Sequence, residues 1–300
     1  VSGLIVIGSV KGSPGVTTAS LGLAAGWPMR PGGAPVVAVE ADPAGGDVLG
    51  WYELPAAGLV AWAAQARSGR SGLSGYVQRL PGGVEVVAAP VEAAAARGAV
   101  EVLARGGAVR AAADSVTVVV DVGRLDPSSP AGPLLGAADV LVVLARPVPA
   151  ELARVVAGEA QLTGAGRREC VLLLVGEPRW PVERVAESVG MPVLGVLPHD
   201  AQGARRIAGR PGGRRATGHT PLARACREVA GRLAAELEAR PVPLPATPLG
   251  VPVIPVGTAG SAAVSRTATV LVPGGAPSRE GGGGGWVPST SVRRDRGERR

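Results

Sequence analysis

Seven short runs of continuous apolar residues recur along the chain: LIVI (4–7), VVAVE (36–40), VEVVAA (84–89), VTVVVDV (116–122), VLVVLA (140–145), VLLLV (171–175) and VLGVL (193–197). They do not alternate with polar residues, which is the pattern of strands covered on both faces. Between them lie Ala/Arg-rich stretches that predict helices over 17–26, 56–67, 91–104, 149–160, 181–188 and 221–238. The last carries Leu222, Cys226, Val229, Leu233 and Leu237 on one stripe. The intervening stretches are long enough to cross over between parallel strands. The predicted architecture is therefore α/β, with helices layered on both faces of a mostly parallel sheet.

From residue 240 the periodicity stops. PVPLPATPLGVPVIPVG gives way to Ser/Thr/Gly-rich sequence, to GGGGG at 281–285 and to RRDRGERR at 293–300. This composition predicts a disordered C-terminal tail over 240–300 behind one folded domain over 1–239. No run reaches the roughly 18 apolar residues of a membrane span. VSGLIVIGS lacks the basic start and the length of a signal peptide, so the expected location is cytoplasmic.

The formal net charge of +7 sits mostly in that tail. Arg240–Arg300 holds eight arginines against three acids, a balance of +5, which leaves +2 for the preceding 239 residues. Cys170 and Cys226 are the only cysteines, with no CxxC spacing and only two histidines in the chain. Neither a zinc site nor a disulfide scaffold is indicated, and a reducing compartment fits.

Lysine occurs once, at Lys11, against thirty arginines, and Phe and Asn are absent, a bias that a GC-rich genome produces. Under it, lysines needed only for solvated charge drift to arginine, whereas a compact ammonium in a tight phosphate site is not replaceable that way. Lys11 stands in SVKGSPGVTTAS (9–20), between the first apolar run and a predicted helix. Strand, Gly-rich turn and helix N-terminus make a phosphate cradle of converging N–H groups.

KGSPGVTTAS resembles the deviant Walker A loop, K-G-G-x-G-K-[ST]-[ST], of the ParA/MinD family of P-loop ATPases. Four later stretches are similar to that family in the same order. VVAVEADPAGGDV places Glu40 and Asp42 at the two acidic positions of its second motif, and VTVVVDVGRL places Asp121 at the Walker B position. GAADVLVVLARPVPAELARVV and VGMPVLGVLPHDAQGARRIAG follow, the second with Pro198 and Asp200 in the segment near the nucleotide base. The similarity runs over about residues 3–238 and implies a three-layer P-loop NTPase fold that takes ATP and Mg²⁺.

By position the resemblance implies that Lys11 is the signature lysine that reaches a partner's phosphates in a nucleotide-bound homodimer. Asp42 positions the attacking water. Gly12, Ser13, Gly15, Val16, Thr17 and Thr18 form the phosphate loop, Thr17 coordinates Mg²⁺, and Asp121 sits in the metal's outer shell. Three positions depart from the pattern: Val16 replaces the lysine that pairs the β- and γ-phosphates, Ser13 and Pro14 replace the usual Gly and its neighbour, and Gly176 replaces a base-contacting Asn. Pro14 also removes one N–H from the cradle.

Trp27, Trp51, Trp62 and Trp180 are scattered and read as packing residues, and His199 and His219 lack a nucleophile partner. Arg205, Arg206, Arg210, Arg214 and Arg215 form a basic cluster that makes non-specific DNA contact a candidate, beside the reading as a solvated face. Two functions follow. One is a nucleotide-gated dimeric switch in chromosome partitioning, septum positioning or pilus/secretion assembly, with weak or slow ATP hydrolysis. The other is a non-catalytic interaction scaffold on a degenerate P-loop fold, with the tail recruiting a protein partner.

Overall fold

The first apolar run becomes β1 (Gly3–Ser9), a strand with every residue buried. Leu4 and Val6 point into one core while Ile5 and Ile7 point into another, so both faces are covered. The structure is a computed structural model and describes residues 2–11, 14–55, 58–69, 72–163, 169–210 and 219–239. The tail expected over 240–300 lies outside the described residues, which all fall in one unit spanning Val1–Pro243.

Parallel strands β2 (Val36–Glu40), β4 (Glu85–Val87), β5 (Thr117–Arg124), β6 (Val140–Ala145), β7 (Glu169–Val175) and β8 (Val193–Leu197) extend the sheet from β1. β3 (Gln78–Arg79) pairs antiparallel with β4 at one edge. The order is β3-β4-β2-β5-β1-β6-β7-β8. From β1 the chain goes first to one side, to β2, and later to the other, to β6. The carboxyl ends of β1, β5 and β6 therefore border a topological switch point, where open α/β sheets bind ligands.

Helices α1 (Val16–Ala25) and α10 (Pro221–Ala239) cover one face, where Leu23, Cys226, Val229 and Leu233 meet Ile5, Ile7 and Val119. The other face carries α3 (Gly58–Ala66), α4 (Ala93–Arg105), α5 (Ala108–Ala112), α6 (Gly132–Ala137), α7 (Pro149–Thr163) and α8 (Val182–Val189). The seven predicted strands and six predicted helices are all present. Short α2 (Val48–Trp51) and α9 (Ala201–Ile207) complete the described α-helices, and with α5, α6, a 3₁₀ turn over Ser74–Tyr76 and β3 they are the elements absent from the hydrophobic pattern.

α1 is buried on nearly every side because α10 lies directly across it. Gly22 and Gly26 permit this approach: a Cβ on Gly22 would stand 2.7 Å from Cys226 Sγ, and one on Gly26 would stand 2.9 Å from the Arg227 backbone. Backbone cannot yield as a side-chain tip can. Gly26→Ala is expected to cost about 1–3 kcal/mol of stability by overpacking, read from a denaturation midpoint. Cys226 faces this core and Cys170 the opposite one, and neither forms a disulfide. Burial pushes the Cys226 thiol up to about 12, so it is inert as a nucleophile.

Candidate functional site

The chain leaves β1 at Ser9, turns through the loop and enters α1 from Gly15, whose φ of 91° lies in the left-handed region that glycine adopts without strain. Gly15 accepts the first helical bond, from Ala19 N–H at 2.9 Å. Thr17 and Thr18 on the first turn of α1 face a cavity of about 450 Å³ at the carboxyl ends of β1, β2 and β5. Asp42, Asp47, Trp51 and Arg124 close its other sides. Orphan N–H groups and the positive end of the α1 dipole thus meet a polar cavity, the arrangement that accepts an anion.

Three carboxylates lie at this strand end, and burial treats them differently. Asp121 on β5 is 2% exposed, and desolvation pushes its pKa up to about 7, against the pull of the Thr17 hydroxyl and the Gly123 N–H. Its Oδ1 accepts from Gly123 N–H at 2.8 Å, while Oδ2 is buried with no hydrogen bond of good geometry among the described residues. Such an orphaned anionic oxygen is costly unless something cationic completes it.

Asp42, half-buried, is also raised by burial, although Ala44 N–H donates to its Oδ1 at 2.8 Å. Gly123, with φ of 62°, lets Asp42 lie against β5, since a Cβ there would stand 2.0 Å from Asp42 Oδ2. Glu40 does a structural task. Its Oε1 accepts from Asp47 N–H and Val48 N–H at 2.6 and 3.1 Å, and its Oε2 from Ala89 N–H at 3.0 Å, tying the 42–47 loop to the end of β4. Burial raises its pKa in spite of these donors.

Gly15, Thr17, Thr18 and Asp42 line one cavity, and Asp121 is buried next to Thr17 without lining it. Gly12 and Ser13 lie outside the described residues. Val16 borders the cavity, but its side chain is 7% exposed and belongs to the core with Ile7, Ala19 and Leu23. Lys11 is exposed and does not line the cavity. Its charge instead acts on Glu151, which Arg146 grips through Nε at 2.7 Å and backbone N–H at 2.8 Å.

A second cavity of about 320 Å³ begins at the other side of Gly15 and Thr18 and is lined by Pro198, His199, Asp200 and Leu222. Asp200 is fully engaged there: Oδ1 accepts from Gly203 N–H at 2.8 Å and Oδ2 from Leu222 N–H at 3.1 Å, so it joins the starts of α9 and α10. Burial pushes its carboxyl up, but these donors and the Thr220 hydroxyl outweigh it and hold the pKa below the usual range. His199, which the sequence gives no nucleophile partner, lies over Gly176, where a Cβ would come within 2.6 Å of Nε2. The imidazole takes the space a side chain at 176 would use.

Arg205 and Arg210 are exposed on α9 and just after it, Arg206 is half-buried, and Arg214 and Arg215 lie outside the described residues. Trp27 and Trp62 are core residues as expected, Trp51 packs against the core with one side on the 450 Å³ cavity, and Trp180 is 42% exposed. Among the described residues no cluster of three or more metal-ligating side chains occurs, and no helix is long and apolar enough to cross a membrane. The sequence reading missed Arg124 and Trp51, because only the register of β5 and the turn before α2 bring them to the cavity.

No protein-family model and no curated protein matches the sequence. The fold, however, matches solved structures. The ParA family ATPase from Chlorobium tepidum TLS superposes with a TM-score of 0.59 at 17% identity, over 75% of this chain and 98% of that one. The chain has the ParA/MinD ATPase fold. Within that fold it is also similar to the cell division ATPase MinD from Pyrococcus furiosus, with a TM-score of 0.58 and 19% identity over 76% and 98% of the two chains. The septum site-determining protein MinD from Pyrococcus horikoshii OT3, solved in complex with Mg-ADP, gives 0.59 and 18% over 79% and 99%.

Proposed function

We propose that this protein binds ATP with Mg²⁺ at the carboxyl ends of β1, β2 and β5 and works as a nucleotide-gated dimeric switch that positions cellular cargo. The observation that carries the reading is Asp121, a buried carboxylate with an unsatisfied oxygen beside Thr17 at the mouth of an anion-accepting helix terminus. That donor set fits a hard divalent cation, which is held by oxygen ligands and keeps waters of its own. Thr17 would hold the ion directly and Asp121 through its outer shell, and the bound ion supplies charge stabilisation to the phosphoryl oxygens. The free N–H groups of α1 orient the phosphates, and Asp42, with its raised pKa, is suited to orient a water and accept its proton.

Lys11, exposed and outside the cavity lining, serves a partner copy rather than its own cradle, which makes the dimer depend on nucleotide. Sedimentation velocity tests this with the full chain alone, with Mg-ATP and with Mg-ADP. Mg-ATP is expected to produce a dimer that Lys11→Ala does not form. A monomer–dimer balance indifferent to nucleotide would count against the switch. One observation favours the scaffold reading instead. Val16 is committed to the core, and a lost charge-assisted phosphate contact typically costs about 2–5 kcal/mol. Under that reading the protein sediments identically with and without nucleotide.

A further inference from the structure

The loop lysine that Val16 displaces leaves the phosphate cavity short of positive charge. The residues that line it include two carboxylates, Asp42 and Asp47, and among the described residues Arg124 is the one cationic side chain. Arg124 is the last residue of β5 and pairs in register with Ser9, the last residue of β1, so it rises from the foot of the phosphate loop. Its position depends on Gly123. Val120 and Val122 face one core and Val119 the other, and the left-handed Gly123 breaks this alternation immediately before Arg124.

The Arg124 side chain is exposed, and no carboxylate among the described residues stands within ion-pair distance of it. It also borders a smaller cavity of about 180 Å³ shared with Asp42, Arg97 and Asp126; the Ser128 hydrogen bonds and, after them, the Arg124 charge hold the exposed Asp126 carboxyl below its usual range. A guanidinium offers a planar fork that takes two phosphate oxygens at once and stays charged at every working pH.

We propose that Arg124 supplies the phosphate-binding charge that Val16 cannot, gripping the β- and γ-phosphates of the nucleotide from β5 instead of from the loop. This rests on the nucleotide reading above and adds to it the residue that makes a lysine-free cradle workable. Lys11 and Arg124 then divide the cationic work, one directed to a partner and one to the protein's own nucleotide.

The test is calorimetric binding of Mg-ATP and, separately, of adenosine to the full-length wild type and to Arg124→Gln and Arg124→Lys. Arg124→Gln is expected to weaken Mg-ATP by about thirtyfold or more. Arg124→Lys should fall between them, because it keeps the charge and loses the fork. Adenosine binding should be unchanged in both, and so should the melting temperature without ligand. If wild type and Arg124→Gln bind Mg-ATP alike, Arg124 has no such role while the nucleotide site stands. Equal weakening of ATP and adenosine would make Arg124 a shaper of the loop and overturn the phosphate grip. No binding by the wild type at millimolar Mg-ATP overturns the nucleotide site itself, and Arg124 with it.

Discussion

Asp121→Asn is expected to stabilise the nucleotide-free protein at pH 8 and at the same time to remove its Mg²⁺-dependent nucleotide binding. The sign follows from linkage. Burial raises the folded pKa of Asp121 to about 7 from the ordinary 3.8, so the folded state holds a proton that the unfolded chain has already released between those values. Stability therefore falls as pH rises from about 4 to about 7, by at most roughly 4 kcal/mol, and stays low above that. An asparagine carries no charge to desolvate and escapes this fall. Denaturation of both proteins at pH 4 and pH 8 reads the effect: their stabilities should be close at pH 4 and diverge in favour of Asn at pH 8. A variant less stable than wild type at pH 8 would mean that the carboxylate is satisfied within the fold and waits for no cation.

Gly123→Ala carries the second large effect, because two independent faults coincide at one residue. The φ of 62° costs an alanine about 1–2 kcal/mol. The added Cβ would overlap Asp42, standing 2.0 Å from Oδ2 and 2.2 Å from Cγ. Overpacking of that kind costs a further 1–3 kcal/mol or so, giving a total of about 2–5 kcal/mol. Either Asp42 or the tip of β5 must move, so nucleotide affinity falls with stability. A double-mutant cycle separates the two faults: Asp42→Ala should recover about 1 kcal/mol or more in the Gly123→Ala background. Strict additivity would show that Asp42 does not rest on Gly123.

Most of the fold was legible because its strands are buried on both faces. A run such as VLVVLA is unlike any loop, and each strand is followed by a stretch long enough to cross the sheet. The elements that stayed hidden are those held by tertiary partners rather than by periodicity. β3 is two polar residues paired to β4, α2 is one turn fixed by the Glu40 carboxylate, and α9 begins only because Asp200 caps it. None of these has a window long enough to show a period.

At the site, the motifs located the elements that carry Thr17, Asp42 and Asp121, since each stands at a strand end or helix start that the pattern shows; the structure sets Thr17 and Asp42 on one cavity and buries Asp121 next to Thr17. Arg124 was invisible for the opposite reason. Its neighbourhood is set by the register of β5 against β1 and by one left-handed glycine, neither of which leaves a mark in composition. Val16 was legible as a missing charge. Its place in the core, and the exposure of Lys11 outside the cavity lining, needed coordinates.

A Mg²⁺-dependent ATP site at the switch point of the sheet is read by calorimetric titration of ATP into the full-length protein, with Mg²⁺ and again with EDTA. Saturable binding is expected that Mg²⁺ tightens in the wild type and no longer tightens in Asp121→Asn. No heat of binding at millimolar ATP, or binding indifferent to both Mg²⁺ and Asp121, would mean that no such site exists.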